Sequence, residues 1–114
     1  MQYMLLIYGD QESWSTRSEE ENGQIYQAYM EFSQEIQDSG VLVRGDALEP
    51  TQTATTVRVR NDETLTTDGP FAETKEQLGG YYLVEAADMD EALKIAERIP
   101  SARYGSIEVR PVID

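Results

Sequence analysis

The stretch Asp68-Gly69-Pro70-Phe71-Ala72-Glu73-Thr74-Lys75-Glu76 puts a carboxylate, a turn, an aromatic ring and an ammonium within nine residues. Asp68 stands before a Gly-Pro pair, where two roles are open. Its carboxylate either caps the turn by accepting backbone N–H bonds or sits desolvated at a pocket mouth, its pKa raised enough for proton transfer near neutral pH. Gly69 supplies a backbone conformation closed to other residues and Pro70 stiffens the turn. Phe71 either plugs the core or walls a ligand pocket. Lys75 either pairs with Glu73 and Glu76 at the surface or points inward. Beside Arg44, Arg58 or Arg60 it would then make a small basic pocket suited to a carboxylate or phosphate ligand. Arg44 and Asp46 are two apart on an extended segment, so they share one side and suit an ion pair. Of the seven tyrosines, Tyr81, Tyr82 and Tyr104 offer phenol donors for a ligand, with core or interface packing as the alternative. The candidate site is therefore Asp68 as acid–base, with Arg44, Asp46, Phe71, Lys75 and Tyr82 holding a small anionic ligand.

What is missing bounds the chemistry. The 114 residues contain no His and no Cys, which removes imidazole bases, thiolate nucleophiles, disulfides and every His- or Cys-ligated metal site. Asp and Glu alone could bind Ca²⁺ or Mg²⁺, but no DxDxDG-type loop is present, so no specific metal site is expected. No cofactor is expected either. Nine Lys and Arg against 22 Asp and Glu give a formal net charge of -13, which disfavours direct nucleic-acid binding because a phosphate backbone must be met by a basic surface. The apolar run in Met1–Asp10 is too short for a signal segment, and no stretch approaches about 18 apolar residues. A soluble, cytoplasmic protein without a membrane partner is expected, and the lack of Cys agrees with a reducing compartment.

The length suits one domain over residues 1–114. Met1 to Tyr8 reads as a strand with both faces apolar, Tyr3, Leu5 and Ile7 on one and Met4, Leu6 and Tyr8 on the other. Ser18 with Glu21 is a capping box. It opens a helix whose Ile25, Tyr29, Phe32 and Ile36 form one stripe, ending at Ser39-Gly40. The opposite face carries Glu19, Glu20, Glu31, Glu35 and Asp38, either a solvated surface or an acidic docking face for a basic partner. Val41 to Leu48 and Thr53 to Arg60 read as strands, Asn61-Asp62 as a turn, and Thr64 to Thr67 as a short strand pairing back in a hairpin. Residues 67–80 read as a loop with one helical turn at Ala72 to Gln77, leading into a strand at Tyr81 to Ala86. Asp88 with Glu91 opens a second helix with the stripe Met89, Ala92, Leu93 and Ala96. Ile107, Val109 and Ile113 alternate in a closing strand that Pro111 pushes to a sheet edge or bulge.

This order, β-α-β-β-(β)-β-α-β, predicts an α+β fold, a ferredoxin-like sandwich with both helices on one sheet face. The other face would also be apolar, because the first strand offers Met4, Leu6 and Tyr8 as well as Tyr3, Leu5 and Ile7, and the strand from Tyr81 offers Tyr82, Val84 and Ala86 against Tyr81 and Leu83. Exposing the second set leaves a larger patch than the ~300–600 Å² typical of a monomer. Packing two such sheets together predicts a homodimer, a dimeric α+β barrel; the alternative is a monomer whose loops 9–17 and 67–79 cover that face.

The segment from Asp68 to Glu76 resembles the signature of the DGPF-domain proteins, within the YCII-related family. Tyr3-Met4-Leu5-Leu6-Ile7-Tyr8, Thr53-Ala54-Thr55-Thr56, Gln77-Leu78-Gly79-Gly80-Tyr81-Tyr82 and Glu108-Val109-Arg110-Pro111-Val112 are similar to that family over nearly the whole chain. The resemblance implies a dimeric ferredoxin-like α+β barrel and a link to sigma factors of the extracytoplasmic-function type. Relatives in the wider family have been suggested to be enzymes through a His-Asp pair. With no His, that base cannot be carried over. Three functions follow: a small dimeric ligand-binding or regulatory module, an enzyme acting on a small organic acid with Asp68 as acid–base, and a protein partner of a sigma factor using its acidic helix face.

Overall fold

The computed structural model describes residues 1–113. Its main sheet has four antiparallel strands in the order β2-β5-β1-β6: β1 is Gln2–Gly9, β2 Leu42–Ala47, β5 Gln77–Glu85 and β6 Ser106–Pro111. Strands β3 (Thr55–Arg60) and β4 (Glu63–Asp68) form a separate two-stranded hairpin. Its turn is made by Asn61 and Asp62, with φ of 52° and 63°, the left-handed pair that a tight hairpin requires. Three helices complete the fold: α1 (Glu12–Thr16), α2 (Glu19–Asp38) and α3 (Met89–Ala96).

Both long helices start where the sequence predicts. The Ser18 hydroxyl accepts from the Glu21 backbone N–H at 3.1 Å and donates to the Glu21 carboxylate. Asp88 accepts from the Glu91 N–H at 2.9 Å while the Glu91 carboxylate takes the Ala87 N–H. Each N-cap side chain thus satisfies one amide, that of Glu21 or Glu91, which the first turn leaves without a partner.

The core lies between one sheet face and the two helices. Leu5, Val84, Ile36 and Ile99 are fully buried, with Tyr3, Phe32, Tyr82, Ala86, Ala92, Ile95 and Ala96 around them. Register places Leu5 opposite both Tyr82 and Val109, and Tyr3 opposite Val84, so these side chains share the helix-covered face. The other face carries Met4, Leu6 and Tyr8 of β1 with Tyr81 and Leu83 of β5, all half-buried. No helix covers it, and the principal extents of 47 × 42 × 18 Å fit a plate one sheet and one helix layer thick. No helix among the described residues is long and apolar enough to cross a membrane.

Four expectations change. No helical turn forms at Ala72 to Gln77; strand β5 begins at Gln77, because Gln77 and Leu78 pair with Gly9 and Tyr8 beyond a bulge at Gly79 of β5. The third strand starts at Thr55, after a short 3-10 turn at Thr51–Thr53. In α3, Leu93 is 48% exposed while Ile95 is buried, since the eight-residue helix is rolled to present Ala92, Ile95 and Ala96. Strand β6 occupies the expected edge but ends at Pro111, leaving Ile113 96% exposed.

Truncation separates the two leucines. Leu5→Ala should lower unfolding free energy by about 2–5 kcal/mol through transfer and cavity terms, and Leu93→Ala by no more than about 0.5 kcal/mol. Urea unfolding of both variants measures the difference; a larger loss from Leu93→Ala contradicts this packing.

Candidate functional site

Helix α2 touches the sheet along only part of its length. Its C-terminal half buries Phe32 and Ile36, whereas Ile25 and Tyr29, on the same stripe, are half-buried. The space below the N-terminal half is a cleft of about 540 Å³. It lies between α1, α2, the ends of β1, β2 and β5, and the 3-10 turn Pro100–Arg103 with the residues after it. Every tyrosine of the chain except Tyr3 lines it: Tyr8, Tyr26, Tyr29, Tyr81, Tyr82 and Tyr104, joined by the single tryptophan, Trp14. Trp14, Tyr26 and Tyr104 form an exposed rim, and Tyr82 lies buried at the inner end.

Two hydroxyl pairs stand on its walls. The Tyr29 hydroxyl donates to Ser101 Oγ at 2.5 Å, and Ser33 Oγ and the Tyr82 hydroxyl lie 2.7 Å apart. Tyr29 and Ser33 are one helical turn apart on α2, hence on one face. The Tyr82 ring meets Phe32 edge-to-face, centroids 5.3 Å apart, and crosses β2 at Gly45, where an added Cβ would come within 2.6 Å of the ring. Glycine at 45 therefore lets the ring lie flat across the strand and present its hydroxyl to Ser33. Burial raises the pKa of Tyr29, against a lowering by its Ser101 bond, and burial likewise raises that of Tyr82. Both phenols stay protonated well above neutral pH.

On the uncovered sheet face, at the edge of the cleft, Asp46 accepts from Tyr81 at 2.7 Å and from Arg44 at 2.9 Å. The Tyr81 bond, then the Arg44 bond, hold the Asp46 carboxyl below its ordinary range, and the hydrogen bond to Asp46 raises the Tyr81 phenol. Gln11 and Gln77 tie loop to sheet: the Gln77 side chain accepts the Gln11 N–H, and the Gln11 side chain accepts from Thr51. The Arg17 guanidinium lies 4.7 Å from the Tyr104 ring centroid at the rim, an arrangement favoured by the ring quadrupole.

The residues singled out from the sequence separate into two groups. Asp46 and Tyr82 line the cleft, and Arg44 is bonded to Asp46. Asp68, Phe71 and Lys75 stand outside the lining. Neither expected place for Asp68 is observed: it is the exposed last residue of β4, paired with Thr55. The next amide, Gly69 N–H, bonds to the Ala54 carbonyl at 2.7 Å. Gly69 has φ +98°, so the chain turns away there as its sequence predicts. Phe71 is 79% exposed rather than core or pocket wall. Lys75 is exposed as well, so the basic pocket is not assembled: Arg44 pairs with Asp46, while Arg58 and Arg60 donate to the Phe71 and Val59 carbonyls. Among the described residues no group of three or more Asp or Glu is placed to hold a metal ion.

Sequence reasoning passed over Tyr29, Ser33, Ser101, Arg17 and Trp14 as cleft residues. The one available signal was the α2 stripe, where Ser33 follows Tyr29 by four; the remaining lining comes from segments far apart in the chain.

The family model described as the YCII-related domain matches residues 1–114. The chain is 40% identical over 114 residues to an uncharacterized protein of Rhizobium meliloti (strain 1021), covering 98% of this chain and 92% of that one. It is similar in fold, at TM-score 0.57 and 15% identity over 99% of this chain and 94% of the other, to a 5-chloro-2-hydroxyhydroquinone dehydrochlorinase from Burkholderia phenoliruptrix AC1100, solved as a complex with 2,5-dihydroxybenzoquinone. That neighbour is a mixed α and β protein of the same kind.

The raised phenols fix a pH dependence. For Tyr29 and Tyr82 the folded state holds the phenolic proton more tightly than the unfolded chain, whose value is near 10.0. Their contribution to stability is whole below that pH and lost as pH rises through the higher folded pKa. Absorbance titration should show a late class of tyrosines; Tyr29→Phe and Tyr82→Phe each shrink it, and Asp46→Asn returns Tyr81 alone towards the ordinary value. Titration of all tyrosines as one class contradicts this environment.

Proposed function

The chain belongs to the YCII-related family, and from that premise we propose that it is a small-ligand-binding or regulatory module. In this reading it works as a homodimer of ferredoxin-like α+β subunits, and the tyrosine-lined cleft is its ligand site. The observation that carries the reading is the cleft itself. At about 540 Å³ it falls within the ~300–1,000 Å³ of small-molecule sites, and it has their make-up, mostly apolar and aromatic walls with a few convergent polar groups.

Catalysis is the second reading, because the fold neighbour is a dehydrochlorinase held with a dihydroxylated quinone. In this chain it has less support. There is no imidazole or thiol, and the cleft phenols whose pKa moves are shifted away from neutrality, the wrong direction for a general base.

The uncovered sheet face supports the homodimer. Its centre is Met4, Leu6 and Leu83, and its two edges carry internally neutralised pairs, Arg44 with Asp46 on β2 and Arg110 with Glu108 on β6. An apolar centre with a polar rim is the anatomy of an interface. On a chain of net charge -13, a face whose charges cancel is where two copies approach with least repulsion.

Two measurements follow. A cleft ligand at about 100 times its Kd should stabilise the protein by about 2.7 kcal/mol, read as a rise in melting temperature. Ser33→Phe, which fills space beside Tyr82, should abolish that rise. A rise surviving in Ser33→Phe places the ligand elsewhere. Light scattering should give twice the chain mass for the native protein and one chain mass for Leu83→Lys; a native monomer contradicts the dimer.

A further inference from the structure

We infer that the cleft selects a neutral ring compound bearing hydroxyl or carbonyl substituents, oriented by the Tyr29–Ser101 and Ser33–Tyr82 pairs, and discriminates against anions. This rests on the cleft being a ligand site, as proposed above.

Charge decides the first half. Among the described lining residues Arg17 is the one cation, against Asp10 and Asp46. Asp46 is neutralised by Arg44 and bonded to Tyr81 on the uncovered sheet face, Asp10 accepts the Glu12 N–H at 3.0 Å, and Arg17 lies over the Tyr104 ring at the rim. An anionic ligand would find a single cation, Arg17 at the rim with Asp10 in the same lining, and would meet repulsion on approach to a chain carrying -13. The basic cluster that would have suited a carboxylate or phosphate is not assembled.

Hydrogen-bond capacity decides the second half. In each pair one hydroxyl hydrogen is spent on the partner oxygen, leaving the other hydrogen and spare lone pairs. Because Tyr29 donates to Ser101, the Ser101 hydrogen is free to reach a ligand oxygen, and Ser33–Tyr82 retains one free hydrogen whichever atom donates. Both pairs therefore offer a donor and an acceptor together, which a hydroxyl matches fully and a carbonyl in part. Tyr29 and Ser33 stand on successive turns of α2, with Cβ atoms ~5–6 Å apart, so one six-membered ring with two polar substituents can touch both pairs. The raised phenol pKa values keep these donors intact across the physiological range. Between them the walls are flat and apolar, with Ile7, Ile25 and Trp14 beside the tyrosine rings, and ring faces pack there without spending a polar group.

The test compares three probes of one ring size against the full chain at neutral pH by calorimetric titration: resorcinol, benzoate and toluene. The Trp14 indole NMR signal reports whether the cleft is the place of binding, since the chain has one Trp. Resorcinol should bind at least about 10-fold more tightly than benzoate or toluene. Tyr29→Phe with Tyr82→Phe should weaken resorcinol by about 3–10-fold per lost bond and leave toluene unchanged. Benzoate binding as tightly as resorcinol, or toluene matching it, overturns the ligand class while leaving the cleft a ligand site. No response of Trp14 to any probe overturns the ligand-site reading itself, and this inference with it. Should the double variant fold poorly, the ranking of the three probes on the native chain decides alone.

Discussion

The edge-to-face contact of Phe32 with Tyr82 divides the molecule. On one side of it α2 is seated: Phe32 and Ile36 press on the sheet with Leu5 and Val84 beneath, and Arg98 closes the contact from outside, lying 5.7 Å from the Phe32 ring centroid and pairing with Glu35 at 2.8 Å. On the other side the helix has the same apolar spacing but no sheet surface to meet, because β2 ends at Ala47 and the chain leaves towards the hairpin. Tyr82 spans the boundary, its ring in the core and its hydroxyl at the cleft. Moving that ring would disturb packing and site together, which is why Gly45, the residue that makes room for it, matters to both.

A tyrosine suits such a boundary. Its ring contributes apolar area to the core, and its hydroxyl requires a partner once buried. Ser33 and Ser101 supply those partners for Tyr82 and Tyr29 without closing the cleft, since a serine is too small to fill the space a larger side chain would take. The uncovered sheet face follows the same economy of residue types. Half-buried Met4, Leu6 and Leu83 lie between self-neutralised ion pairs, and the proposed partner for that surface is a second copy.

Much of the fold was legible because its signals are local. Ser18 with Glu21 and Asp88 with Glu91 are capping boxes four residues long, Asn61-Asp62 is a turn read from two residues, and the two-faced apolarity of Met1 to Tyr8 follows from strict alternation. Less local features were not legible. Periodicity assigned Ile25 and Tyr29 to a buried stripe because spacing reports which side of a helix is apolar, not whether a sheet lies under it. Leu93 and Ile95 exchanged places because one residue's rotation of a short helix lies within the resolution of a two-turn pattern. At the site, residue type misled: Asp68, Phe71 and Lys75 attract attention by their chemistry, yet Thr55 pairing carries β4 through Asp68 and the turn at Gly69 leads the rest away from the cleft. Tyr8, Tyr29, Tyr82 and Tyr104 come from four separate segments, so only the folded chain gathers them.

The central claim is that α2 stands off the sheet over its first half and leaves an open, hydroxyl-lined cleft there. A crystal structure at a resolution that orders water tests it most directly. The account predicts ordered water or a co-purified molecule within hydrogen-bond reach of the Tyr29 and Tyr82 hydroxyls, with Ser101 and Ser33 as their partners. Ile25 packed down against Ile7, with the cleft closed and the two phenols sealed from solvent, would contradict it.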